Sequence, residues 1–214
     1  MSPTEKIDKR AQILAVAEQL FADQGFDGTS VRDIAQAANV NLAMISYYFG
    51  SKEKLLEALI EDRAGYTLGI LEELNRDQSL TPWNKVDKLV EFYVDKILNN
   101  YRFHCIMTQH NNRTRSQEIK DMIVNIKMRN LEQIKKVIND GQRKGLFRKV
   151  DIEFTIATLM GTLTQVTSSR PFYCKLFKID EADENGFRKK IGPRLKNHLK
   201  QVLQGHLDIK NEEQ

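Results

Sequence analysis

Four side chains close to residue 44 carry groups that could contact the edges of base pairs. They are Asn41, Leu42, Ala43 and Ser46. The amide and the hydroxyl supply hydrogen-bond donors and acceptors, and the two apolar side chains suit the methyl group of thymine. Both kinds of contact distinguish base pairs in the major groove. A solvated helix face normally carries Glu, Lys and Gln, whereas this stretch carries no charge. The pattern therefore indicates sequence-specific contact with double-stranded DNA.

Two short helices joined by a tight turn would hold these side chains in place. The first helix follows a cap at Thr29 or Ser30, because hydroxyl side chains accept hydrogen bonds from the first free backbone N–H groups. Asn39 tolerates a left-handed backbone and suits the turn, and Asn41 caps the next helix. The inward-facing residues would be Val31, Ile34, Ala35, Ala38, Val40, Ile45 and Phe49. The sequence therefore predicts a helix-turn-helix spanning about Thr29 to Phe49.

Contacts to the DNA backbone are expected at the edges of this motif and at its helix N-termini. A cation at the start of a helix is locally unfavourable, and a neighbouring phosphate would explain Lys52. Tyr48 fits the protein core as well as it fits DNA, whereas Tyr47 favours DNA. The predicted DNA-binding residues are Thr29, Ser30, Arg32, Asn41, Leu42, Ala43, Ser46, Tyr47, Tyr48 and Lys52.

The stretch GTSVRDIAQAANVNLAMISYYFGSKEKLLEAL resembles the DNA-binding signature of the tetracycline-repressor (TetR/AcrR) family of transcription regulators. The resemblance covers about Arg10 to Leu59 without a gap. It departs at Asn39, where the family often has Gly, and at Ser46, where a Tyr is common. It implies DNA contacts from Thr29, Asn41, Leu42, Ala43, Ser46, Tyr47, Tyr48 and Lys52. It also implies a homodimer with its seam on the last two long helices, and an effector cavity in the C-terminal half.

The whole chain is expected to be all-α, because helical spacing of apolar residues recurs and strand-type alternation is missing. We expect a three-helix DNA-binding domain at residues 1–54 and a larger helical bundle for ligand binding and dimerisation at 55–214, with about nine helices in total. Helices are predicted near 82–99, 101–110, 117–140 and 151–168. Residues 169–186 are predicted to be irregular, and they contain Pro171.

The C-terminal half offers aromatic and methionine side chains that could line an effector pocket, although such residues are more often plain core. They are Phe92, Tyr93, Phe103, Met107, Met122 and Met128. The effector would be a small apolar or amphipathic molecule. The cluster formed by Phe172, Tyr173, Leu176 and Phe177 fits dimer packing or a pocket lid.

A dimer has a second argument besides the resemblance. The helix at Phe154 to Val166 is apolar almost all round, with Gly161 and Thr162 allowing close approach, and a small domain has little interior in which to bury it. The predicted interface residues are Ile156, Leu159, Met160, Leu163, Leu195, Leu199 and Leu203.

Other classes of function have little support. His104, Cys105 and His110 match no compact zinc spacing, so no metal or other cofactor is expected. Phosphate-binding glycine loops, nucleophile elbows and HExxH motifs are missing, which argues against an enzyme.

The net charge of +4 permits an anionic partner, but the first 54 residues carry no excess of positive charge. Two cysteines and the lack of an apolar stretch of ~20 residues fit a cytoplasmic protein without a membrane span.

The sequence thus leads to a dimeric repressor that binds a palindromic operator and is released by a small molecule. The alternative is a constitutive or protein-controlled DNA-binding regulator without such an effector. A C-terminal half lacking a cavity of ~300 Å³, the lower range of ligand pockets, would favour that alternative. An enzyme built on a helical bundle is the third possibility, and it rests only on His104 and Cys105.

Overall fold

The computed structural model describes residues 3–100, 103 and 117–209, with side chains from residue 9 onward. These residues form nine helices and no strand, which confirms the all-α prediction. In chain order the helices are α1 (Pro3–Gly28), α2 (Val31–Ala37), α3 (Leu42–Phe49), α4 (Lys52–Arg76), α5 (Pro82–Asn99), α6 (Gln117–Arg143), α7 (Ile152–Ser168), α8 (Arg170–Phe177) and α9 (Glu184–Leu207).

Most helix starts have a side chain that accepts a hydrogen bond from the first turn. Ser30, Asn41, Thr81, Asp151 and Asp183 each do so at the helix that follows them. Such caps satisfy backbone N–H groups that have no partner inside the helix, and each contributes about 1 kcal/mol. These local rules explain why the helix boundaries agree closely with the sequence pattern.

The described residues divide into two compact units. The first comprises residues up to Thr67 together with Phe103 and residues 117–126. Its core packs α1, α2, α3 and the first half of α4 around Phe21, Ile34 and Ile45. An ion pair of 2.5 Å between Arg63 and the nearly buried Glu18 also joins α4 to α1. This division differs from the predicted boundary at residue 54, because the first half of α4 is part of the first core.

The second unit comprises residues 68–100 and 127–209. Its core gathers one face each of α5, α7 and α9 together with the second half of α6. On the surface, Lys196 and Lys200 of α9 make ion pairs of 2.7 and 2.6 Å with Asp95 and Glu91 of α5. This unit is the larger helical bundle that the sequence predicts.

The segment after α7 differs from its prediction. Residues 170–177 form the helix α8 instead of an irregular stretch, and Lys178 ends it with a left-handed conformation at φ 54°. Pro171 lies in the first turn, where its missing N–H is not needed by the helix and its fixed φ is favourable. Pro171 is therefore compatible with the start of α8 and does not interrupt the helix. The helix predicted over 101–110 lies outside the described residues apart from Phe103, which is helical.

Candidate functional site

The start of α2 is fixed by a reciprocal cap. The Asp33 N–H donates to the Ser30 hydroxyl at 3.2 Å, while the Ser30 N–H and hydroxyl both donate to the Asp33 carboxylate at 2.8 and 2.6 Å. The hydrogen bonds from Ser30 hold the pKa of Asp33 below its usual range. Ser30 is therefore engaged in capping, although it is exposed, and Arg32 beside it projects to solvent.

The turn between α2 and α3 has the conformation expected from its sequence. Asn39 is left-handed at φ 48°, and the Val40 N–H donates to the carbonyl of Ala35 at 3.0 Å. The Gln12 amide of α1 donates to the carbonyl of Ala38 at 2.9 Å, so α1 also holds the end of α2. Gln12 is a positioning residue that sequence reasoning missed, because a polar residue beside an apolar stripe gives no signal of its partner.

Helix α3 presents an uncharged outer face. The Asn41 side chain accepts from the Ala43 N–H at 2.9 Å and so begins the helix. Ile45 and Phe49 are buried, whereas Leu42 is 39% and Tyr47 71% exposed. The face is formed by Asn41, Leu42, Ala43, Ser46 and Tyr47, all exposed. The structure therefore brings together the predicted base-reading residues, and we call this surface the α3 face.

Tyr48 lies between the α3 face and the core. It is half-buried, and its ring meets that of Tyr47 edge-on at 5.2 Å between centroids and that of Phe49 at 6.2 Å. Tyr48 therefore supports the Tyr47 ring from the side of the core.

Two predicted phosphate contacts have another role in the structure. The Thr29 side chain is 1% exposed, and its hydroxyl lies 2.8 Å from the Gly25 carbonyl and 3.1 Å from that of Leu20. The prediction that the Thr29 side chain contacts DNA is therefore corrected, because its hydroxyl makes its contacts inside the domain. The Lys52 ammonium donates to the carbonyls of Phe26 and Thr29 at 2.8 and 2.9 Å and lies 4.3 Å from the Phe26 ring centroid. These hydrogen bonds to carbonyl oxygens account for a lysine at the start of α4, so a phosphate contact is not needed to explain it.

Replacing Lys52 with methionine should lower the free energy of unfolding of the first unit by about 1–3 kcal/mol, because two carbonyls lose a charged donor. Hydrogen exchange of the backbone amides in α1–α4 measures this locally. Lys54→Met is the matched control: its ammonium pairs with Glu57 at the surface, so the change should be much smaller. Equal effects of the two variants would contradict the structural role of Lys52.

The second unit contains a partly open cavity of about 50 Å³ with an almost entirely apolar wall, which we call the apolar cavity. Its lining comes from α5, α6, α7 and α9 and includes Val86, Leu89, Tyr93, Ile156 and Met160. A wider groove of about 250 Å³ lies between α4 and α5 and is lined by Leu74, Lys88 and Phe92 among others. Both are smaller than the ~300 Å³ expected of a ligand pocket.

The residues predicted to line an effector pocket are dispersed. Tyr93 lines the apolar cavity and Phe92 the wider groove. Phe103 and Met122 belong to the core of the first unit, and Met128 is exposed. For these three residues the prediction is corrected, because residue type does not reveal which helix face meets which core. Met107 lies outside the described residues.

The predicted dimer residues mostly face inward. Leu163, Leu195, Leu199 and Leu203 are buried in the core of their own subunit, so for them the prediction is wrong. Ile156, Leu159 and Met160 are half-buried and line the cavity. The largest apolar side chains of α7 and α9 recur at helical spacing because they face this core.

A different face of α7 is exposed in the isolated chain. Phe154 is 74% exposed, and it is followed along the same face by Ala157, Gly161, Thr164 and Ser168. No residue of this set is charged. We call it the α7 face. On α8, Phe172 and Leu176 are also exposed, whereas Tyr173 and Phe177 stack on each other at 6.4 Å and pack against the core.

Two further observations concern sites considered from the sequence. Within residues 3–100, 103 and 117–209, no three His, Cys, Asp or Glu side chains come together as a metal site would require. His104, Cys105 and His110 lie outside this part of the chain. Among the described helices, none is both long and apolar enough to cross a membrane.

Family models match most of the chain. The model described as "Bacterial regulatory proteins, tetR family" matches residues 13–59 and so contains α2, the turn and α3. The model described as "Tetracyclin repressor-like, C-terminal domain" matches residues 82–190, which run from the start of α5 into α9.

Individual relatives agree with these matches. The repressor NicS of Pseudomonas putida is 32% identical over 156 residues, 71% of each chain. The probable regulator YttP of Bacillus subtilis is 47% identical over 57 residues, which span 27% of this chain and only 28% of YttP. The crystal structure of the TetR family regulator PfmR from Thermus thermophilus is similar with a TM-score of 0.65 and 25% identity, covering 73% of this chain and 85% of PfmR.

Proposed function

Because the chain belongs to the tetR family of bacterial DNA-binding transcription regulators, we propose that it is a dimeric repressor whose affinity for its operator is lowered by a small effector. The observation that carries this proposal is the α3 face. It is exposed, uncharged and held by a capped helix behind a fixed turn. The relatives reported above are regulators or repressors by name. The proposed place of action of this chain is the cytoplasm, where it would bind DNA.

The α3 face would enter the major groove. Asn41 and Ser46 would exchange hydrogen bonds with base edges, and Leu42 and Ala43 would contact thymine methyl groups. Arg32, Tyr47 and Tyr48 would contact phosphates together with the N-termini of α2 and α3, where free N–H groups favour anions. Ser30 would act there through its backbone, because its hydroxyl caps α2.

Dimerisation would supply the affinity that the charge of the domain does not. Two copies related by a two-fold axis would present two α3 faces to two half-sites with the same symmetry, hence a palindromic operator. The α7 face is the proposed seam, because it combines an exposed phenylalanine with small uncharged residues that permit close approach of helices.

Replacing Tyr47 with alanine should weaken operator binding by about tenfold or more, because a phosphate or base contact is worth ~1–3 kcal/mol. Gel retardation with the DNA upstream of the protein's own gene measures this effect. Tyr66→Ala is the matched control, since Tyr66 is 67% exposed but lies on α4, away from α3 in sequence. The proposal fails if wild-type protein gives no specific retardation, or if Tyr47→Ala binds as wild type does.

The second candidate is a constitutive or protein-controlled regulator without a small effector. It is favoured by the small volume of the apolar cavity, about 50 Å³. A thermal-shift screen of small molecules, followed by gel retardation with each compound that stabilises the protein, separates the two. Compounds that bind and release operator DNA support an effector, whereas a screen without such a compound supports constitutive binding.

A further inference from the structure

The wall of the apolar cavity is formed almost entirely by hydrocarbon side chains. All but two of its lining residues lack nitrogen and oxygen in the side chain, and none of them is charged. Leucine, isoleucine and valine side chains from four helices of the second unit make up most of the wall. A ligand held in this cavity would therefore be recognised by its own apolar surface.

The two exceptions, Thr155 and Tyr93, add little polarity to the wall. The Thr155 hydroxyl donates to the Asp151 carbonyl at 2.7 Å and lies 3.0 Å from Nε2 of His206, so it already has two polar neighbours. Burial raises the pKa of the Tyr93 hydroxyl, which therefore remains neutral. The wall is almost entirely apolar even with these two residues included. A ligand in the cavity would thus face no charge and hardly any hydrogen-bonding atom.

Such a wall discriminates between ligands by the cost of removing them from water. A carboxylate or an ammonium group placed in the cavity would lose its hydration without gaining a partner. A hydroxyl would also be penalised, because its hydrogen bonds to water would not be replaced. A hydrocarbon, in contrast, gains free energy in proportion to the apolar area that it removes from water. The cavity therefore favours ligands that are neutral and lack polar groups.

We propose that the effector is a small neutral hydrocarbon, aromatic or aliphatic, that binds in the apolar cavity of the second unit. This inference rests on the proposed function and specifies its ligand. The wider groove between α4 and α5 suits such a ligand less well, because Glu73, Asp77 and Lys88 contribute charged side chains to its lining. The apolar cavity combines the matching chemistry with a wall that belongs to one unit of the chain.

The volume of the cavity determines how such a ligand would act. An apolar cavity that holds benzene has a volume of about 150 Å³, so the wall must move outward when a ring enters a cavity of about 50 Å³. Ile156, Leu159 and Met160 form the α7 side of the wall and are only half-buried, and methionine repacks easily. The opposite side of the same helix carries the α7 face. A ligand that displaces α7 would therefore alter the proposed seam, on which operator affinity depends.

Titration calorimetry of the full chain with toluene, benzoate and benzylamine tests the inference, because the three probes share an aromatic ring and differ in charge. We expect toluene to bind at least about tenfold more tightly than either charged probe, because only the charged probes lose strong hydration. Gel retardation with operator DNA then measures the consequence of binding. Saturating toluene should lower the affinity for the operator by about fivefold or more, the lower range of couplings between two sites.

Two variants of the wall test whether the apolar cavity is the site. Val90→Ile adds a methyl group to the wall and should weaken toluene binding by about tenfold or more, because little space remains. Val94→Ile is the matched control: it is the same substitution on the same helix, at a buried residue that does not line the cavity. Leu159→Ala enlarges the cavity and should tighten toluene binding, because the wall no longer has to move.

The inference is overturned if toluene does not bind, if benzoate or benzylamine binds as tightly, or if bound toluene leaves the operator affinity unchanged. It is also overturned if Val90→Ile binds toluene as well as Val94→Ile does and Leu159→Ala binds it no more tightly than wild type. Operator binding without any ligand is measured separately by gel retardation. If specific operator binding is present, each of these results overturns this inference alone, whereas its absence overturns the proposed function.

Discussion

Arginine in place of Gly161 should make the protein monomeric and reduce its affinity for the operator by about a hundredfold or more. Gly161 lies on the α7 face, and a Cβ added there meets no atom within 4 Å apart from the adjacent residues and backbone of its own helix. The substitution should therefore leave the subunit fold intact, and it adds backbone order to a helix that contains glycine. In a dimer whose interface is formed by two α7 faces, however, the arginine side chain would occupy the place of the partner helix.

The size of the loss follows from bivalency. A dimer binds its second half-site as an intramolecular step, which raises the overall affinity by about 10²–10⁴ over a single copy. Sedimentation velocity gives the mass, gel retardation gives the affinity, and circular dichroism confirms that the helices remain. Gly69→Arg on α4 is the control, because a Cβ at Gly69 likewise meets no atom within 4 Å beyond its own stretch of helix. A Gly161→Arg protein that remains dimeric would place the seam elsewhere.

Much of the helix-turn-helix could be predicted because its determinants are local. Ser30 and Asp33 are three residues apart, and Asn39 and Asn41 act through their own backbone or that of the next two residues. Cap and turn rules describe interactions of this range. The same rules fail when one residue can serve two purposes. Residues 169–186 were predicted to be irregular, but Pro171 is a first-turn residue of α8.

The remainder of the site depends on contacts between residues far apart in sequence. Lys52 bonds to carbonyls 26 and 23 positions earlier, and Gln12 to one 26 positions later, so neither partner can be deduced from spacing. The dimer prediction failed at Leu163 and Leu199 for a related reason. A helix that is apolar all round gives no sign of which side meets its own core, and large residues alone are not evidence of a seam. In the structure the exposed side of α7 carries Phe154 followed by small residues.

The last prediction concerns the stability of the second unit. Replacing Lys96 with methionine should raise the free energy of unfolding at pH 7 by about 3 kcal/mol. In the folded protein the pKa of Lys96 falls from its ordinary value of 10.5 to about 8. Protonation is therefore easier in the unfolded chain, and a charged Lys96 destabilises the fold by about 1.4 kcal/mol for each unit of the shift. Methionine removes this charge while keeping an unbranched side chain of similar length.

The pH dependence distinguishes this cause from better packing. Because the folded pKa is depressed, the penalty on wild-type protein is fully present below pH 8 and disappears as the pH rises from about 8 to 10.5. Urea titrations of both proteins at pH 7, 9 and 10.5 should therefore converge at the highest pH. Lys189→Met is the exposed control and should track wild type throughout. A constant advantage of Lys96→Met at all three pH values would mean that packing, and not the buried charge, separates the two proteins. Convergence would show that the charge of Lys96, and not the packing of its side chain, separates the stabilities of the two proteins.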